Sequence, residues 1–129
     1  MTPLRWARAY WALGIAYVAA VITLTLMFNP PQGPDVPYAD KWEHFLAYGL
    51  MMGWFAQLLQ ARSLRLKAAL GFAALGGVLE ILQGLGGVRH AEWADFAANA
   101  TGVGLGLLAT WKAGGRALIA LENSFSQTE

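Results

Sequence analysis

The ionisable side chains of this chain stand at the ends of apolar runs and not along them, a distribution that restricts the fold more than any single motif does. The run from about Ala9 to Phe28 carries no charge at all. About 20 mostly apolar residues are needed to cross roughly 30 Å of hydrocarbon, and four segments meet or approach that length, at about 9–28, 42–60, 68–85 and 95–111. The composition agrees. Hydrophobic residues make up 57% of the 129 positions and charged residues 13%, with a mean hydropathy of +0.41, whereas soluble domains average about 25% charged. The expectation is an all-α integral membrane protein, a compact four-transmembrane-helix bundle forming one domain over residues 1–129.

Several function classes drop out early. A net charge of +1 with no basic stripe interleaved with aromatics gives nucleic acid nothing to bind. With no cysteine there is no disulfide framework, no thiolate nucleophile and no zinc-thiolate site. No residue pattern calls for a cofactor. The first apolar run follows Arg5 and Arg8 as a signal peptide would, but it is longer than an h-region and leads into Asn29, Pro30 and Pro31, so a retained anchor is expected.

Between the runs, Asn29 to Tyr38 holds Pro30, Pro31, Pro34 and Pro37 with Gly33 and reads as an extended loop. Gly84, Gly86 and Gly87 announce a turn after the third run, Arg89 to Ala94 forms a second polar loop, and the chain closes on a short polar tail. Asp95 suits the start of the fourth helix as a cap. Basic residues then set the orientation: Arg5, Arg8, Arg62, Arg65, Lys67, Lys112 and Arg116 fall on one side, Lys41 and Arg89 on the other. By the positive-inside rule both termini are cytoplasmic, in a multi-pass protein of the inner or plasma membrane.

That orientation gathers Asp40, Lys41, Glu43, His44, Glu80, Gln83, Arg89, Glu92, Asp95 and Asn99 towards the extracytoplasmic face. Residues three and four apart share a helix face, so Asp40, His44 and Tyr48 form one stripe, Glu80 and Gln83 another, and Asp95, Asn99, Gly102 and Gly106 a third. Titratable groups in or beside lipid are costly and mark a site or pathway. Gly102 and Gly106 have the spacing of close helix packing, and the tryptophans, Trp54 excepted, fall near the interfaces.

The order Asp40, Lys41, His44, Phe45 and Tyr48, then Glu80 and Gln83, then Arg89, Asp95, Asn99 and Gly102 resembles the signature of VanZ-like membrane proteins. The resemblance implies a compact four-helix membrane protein, named for an accessory protein of glycopeptide (teicoplanin) resistance, and implies no established reaction.

From the residue chemistry, the site expected is one that acts on or binds an anionic lipid-linked or phosphate-bearing envelope precursor, with membrane lipids as further partners. His44, Glu80 and Asp95 are the candidate catalytic groups: His44 moves a proton and an acidic partner orients it. Asp40, Lys41, Tyr48, Gln83, Arg89 and Asn99 are the candidate substrate-binding groups, the two cations neutralising the anionic head. The competing reading is a non-catalytic module that binds lipid, antibiotic or a partner protein with the same residues. Metal coordination by His44, Asp40, Glu80 and Asp95 ranks below both, because no second histidine and no ligand spacing support it.

Overall fold

The computed structural model describes residues 4–27, 37–86, 92–112 and 116–127. Among these residues the chain is all helix: α1 (Ala7–Leu26), α2 (Ala39–Leu58), α3 (Arg62–Leu85), α4 (Trp93–Thr110) and α5 (Arg116–Ser126), with no strand. The four long helices fall where the apolar runs predict them, and one boundary differs. Arg62, Arg65 and Lys67 lie inside the first turns of α3 and not in a linker before it, because only Leu59, Gln60 and Ala61 separate α3 from α2. The expected polar tail is a helix instead. In α5, Leu118, Leu121 and Phe125 recur at helical spacing, so one face is apolar despite the polar composition of the segment.

The bundle is built around the seam between α2 and α4. A Cβ on Gly102 would collide with the carbonyl oxygen of Phe45, and one on Gly106 would stand 2.5 Å from the carbonyl oxygen of Gly49. Two small-xxx-small faces, Gly49 with Gly53 and Gly102 with Gly106, let the two backbones touch, which is how helices gain packing energy where the surroundings are apolar. Over this seam, Tyr48, Met52, Ala56 and Val103 form one buried cluster, while Tyr10, Met51, Phe55, Leu58 and Leu118 form a second that reaches α1 and α5. Trp54, unlike an interfacial tryptophan, is turned inward and donates its indole N–H to the Tyr10 carbonyl at 3.0 Å.

The polarity of the molecule is inverted. Arg65, Glu80, Gln83, Asp95 and Asn99 are buried, whereas Leu13, Ile15, Leu50, Leu70, Ile81 and Leu108 are each at least 60% exposed. Two helices, α1 and α3, are long and apolar enough to cross a membrane. The other two long helices carry polar residues and the seam glycines, Asp40, Lys41, Glu43 and His44 in α2 and Asp95 and Asn99 in α4.

The two ends of the bundle are chemically distinct. At the end marked by Arg65, buried polar groups tie helix termini together. Arg65 donates from Nε to the Leu59 carbonyl (2.7 Å) and from Nη1 to the Trp111 carbonyl (3.0 Å), satisfying carbonyls that α2 and α4 leave without intrahelical donors. Glu122 of α5 accepts the N–H groups of Arg5 and Trp6, each at 3.0 Å, and so caps α1 from the far end of the sequence. Those two bonds hold the Glu122 carboxyl below the usual glutamate range. Gln57 accepts the Leu118 N–H at 3.3 Å and fixes α5 to α2. The opposite end carries His44.

Candidate functional site

At the His44 end, α2 begins after the turn at Pro37 and Tyr38, with Asp40 and Lys41 in its first turn. α3 arrives at the same end with its last turns, and α4 departs from it. Three helices therefore deliver side chains to one place: His44 from α2, Glu80 from α3, Asp95 from α4. A ligand atom of each lies within 4.8 Å of the other two. Glu80 and Asp95 are only 6% and 5% exposed, and His44 is partly buried.

The orientation of each group has a local cause. His44 Nδ1 lies 2.5 Å from the carbonyl oxygen of Asp40, one turn earlier in its own helix. A carbonyl only accepts, so Nδ1 is the donor of this bond, and in the neutral ring Nε2 then holds the lone pair. Glu80 accepts the Glu92 N–H at 2.8 Å, which joins the end of α3 to the start of α4. Asp95 is not the cap that its place in the sequence suggests: the N-cap is Glu92, which makes no side-chain cap bond, and Asp95 is the third residue of the helix, its side chain turned into the bundle. Its Oδ1 faces the Lys41 ammonium at 3.0 Å without hydrogen-bond geometry.

Lys41 is the hub of a second group. Its Nζ lies 2.7 Å from Asp40 and 2.6 Å from Glu92 as well as 3.0 Å from Asp95. The ammonium is thus spoken for three times over and has little charge left to offer an anionic ligand.

The remaining sequence candidates divide. Tyr48 and Asn99 sit one turn below His44 and Asp95, both 2% exposed, packed together over Gly76. The Asn99 Oδ1 has no hydrogen-bond donor. Gln83 is buried but turned away, donating from Nε2 to the Thr25 carbonyl at 2.7 Å and so linking α3 to the end of α1. Arg89 and the Pro-rich segment 28–36 lie outside the described residues. Sequence reasoning missed the part played by Glu92, whose main chain meets Glu80 and whose carboxylate meets Lys41; its position beside Arg89 was the available signal. Below the site, Gly14, Tyr17, Gly49, Gly53, Trp54 and Thr110 help line an apolar groove of about 450 Å³ between α1, α2 and α4.

Comparison with family models, with curated proteins and with solved structures finds no match for this chain.

Proposed function

We propose that this chain is a VanZ-like, multi-pass protein of the inner or plasma membrane, with α1 to α4 as its spans, both termini cytoplasmic and the His44 end facing outward. Its pocket takes the head group of an anionic lipid-linked envelope precursor, and His44 moves a proton at that head group. The carrying observation is the convergence of His44, Glu80 and Asp95, two of them more than nine-tenths buried, in a molecule that leaves large apolar side chains exposed all round. Exposed apolar surface on this scale is suited to lipid, and buried titratable groups are then expensive unless they serve a site. The basic residues near the Arg65 end favour the cytoplasm. Family membership also brings a role in glycopeptide resistance into the proposal.

A second reading, a binding module without chemistry, draws on the Lys41 hub, which closes the mouth of the pocket with ion pairs as a clasp would. The two readings separate in one experiment. The purified protein is placed in nanodiscs with a polyprenyl phosphate or the uncharged polyprenol, and bound lipid is measured by native mass spectrometry for the wild type and His44→Ala. The proposal expects preferential binding of the phosphate by the wild type and loss of the cellular phenotype in the variant. Equal retention of phosphate and alcohol would remove the anionic ligand from the account, and full phenotype in His44→Ala would leave binding alone.

A further inference from the structure

We propose that His44, Glu80 and Asp95 together bind a divalent transition-metal ion, with zinc the best fit. This rests on the outward pocket proposed above, gives its His44 the role of a metal ligand in place of a proton carrier, and explains how that pocket tolerates an anionic head. Among the described residues the His44 end holds, besides the exposed Glu43, four carboxylates, Asp40, Glu80, Glu92 and Asp95, and one cation, Lys41, which contacts three of these four but not Glu80. Two carboxylates buried side by side cost heavily in a low dielectric without a counter-charge, and the same surplus repels a phosphate. A divalent ion held by Glu80 and Asp95 removes both difficulties.

The geometry is specific to one trio. Asp40, Glu92 and Asp95 also approach one another, but the Lys41 ammonium stands among them and the first two are half exposed. The trio with His44 is the buried one and contains a nitrogen donor. In the neutral imidazole, donation from Nδ1–H to the Asp40 carbonyl would leave Nε2 as the ligand, the arrangement that metal-binding histidines use. Donors about 2.1 Å from a tetrahedral zinc lie about 3.4 Å apart, so side-chain torsions of Glu80 and Asp95 suffice to close a cluster whose ligand atoms are all within 4.8 Å.

Asp95 is 5% exposed, and its Oδ1 meets the Lys41 ammonium at 3.0 Å without hydrogen-bond geometry, so its carboxylate is shared between the Lys41 hub and the trio. The choice of metal follows from the donors: one imidazole excludes the all-oxygen preference of magnesium and calcium, no thiolate is present, and three protein ligands leave zinc an open position for an oxygen of a phosphate head. The sequence conceals such a site because its ligands come from three helices, so no short spacing announces it.

The test uses the full chain in detergent, stripped with a chelator and titrated with Zn²⁺ by calorimetry, and with Co²⁺ followed by visible absorption. One zinc per chain is expected in the wild type, with affinity at least about 100-fold lower in His44→Ala and in Glu80→Gln, and the Co²⁺ protein should show the intense band of a tetrahedral site. Absence of stoichiometric Zn²⁺ binding by the wild type overturns the proposal, as does unchanged affinity in folded variants; if the variants do not fold, a Co²⁺ spectrum without the tetrahedral band overturns it alone. Polyprenyl phosphate binding repeated with chelator keeps the two proposals apart. Lipid bound equally well without metal, by a protein that ignores Zn²⁺, sinks the metal and spares the lipid site; Zn²⁺ bound without any preference for the phosphate does the reverse.

Discussion

The two ends of this bundle use polar side chains for different purposes. At the Arg65 end, charged and amide groups are spent on helix termini: Arg65 on the carbonyls of Leu59 and Trp111, Glu122 on the first N–H groups of α1, Gln57 on α5. The exception there is the buried Tyr10 hydroxyl, which lies beside Glu122 without a well-formed bond. At the His44 end, side chains face one another across the bundle. Acidic groups outnumber the described cation there, Asp95 meets that cation without hydrogen-bond geometry, and Asn99 keeps an acceptor atom without a donor. A chain under selection for stability alone would have completed both ends alike. One finished end and one unfinished end is the pattern of a scaffold that carries a site, because active groups are held in arrangements that stability does not favour.

The seam that both ends share gives the largest expected effect. Gly102→Val should abolish folding, because its side chain meets the Phe45 carbonyl and a helix backbone cannot yield as a side chain does. The cost is about 3 kcal/mol or more, visible as loss of the monodisperse peak in detergent chromatography. A well-folded variant would mean that the seam is looser than described and that the two ends are not rigidly joined.

A paired substitution sharpens the contrast. Arg65→Ala removes two charge-assisted bonds to buried carbonyls and should cost about 2–3 kcal/mol, read as a lower Tm, while lipid binding at the other end persists at temperatures where the protein is folded. Glu80→Gln keeps an acceptor for the Glu92 N–H and removes a buried charge. Its stability should change by less than about 1 kcal/mol, or rise, while ligand binding falls. If Glu80→Gln proves the more destabilising of the two, the His44 end is a clasp and the comparison collapses.

The smallest effect concerns α5. The Glu122 carboxyl sits below its usual range when folded, so its contribution is present above the unfolded glutamate value and is lost as pH falls through the lowered folded value. Glu122→Gln should therefore remove the acid-dependent part of α5 release, followed by limited proteolysis between pH 3 and 6, with little change at pH 7. Identical acid profiles in the two proteins would show that Glu122 does not hold α5 through its charge.

How much of this was legible in the sequence depends on the range of the interaction. The length of the apolar runs sufficed to locate α1 to α4, and helical spacing to align His44 with Tyr48 and Asp95 with Asn99, because both are local properties. The half of the seam on α4 was also visible in Gly102 and Gly106, but its partners Gly49 and Gly53 were not, since spacing names a face and not what it meets. Arg65 looked like an orientation anchor and proved to be buried, and Gln83, placed with the site, reaches α1 instead. Glu122 binds residues 116 and 117 positions away, and α5 was hidden in a stretch whose polar composition masks its apolar face.

The central claim, that the unfinished end looks out of the cell and the finished end looks in, is tested most directly by cysteine labelling. The chain has no cysteine of its own, so Tyr38→Cys at the His44 end and Ser63→Cys at the Arg65 end, both exposed positions, can be probed singly with a membrane-impermeant maleimide. The account predicts that intact cells label Cys at position 38 at once and label position 63 only after permeabilisation. The reverse order, or equal labelling of both in intact cells, contradicts it.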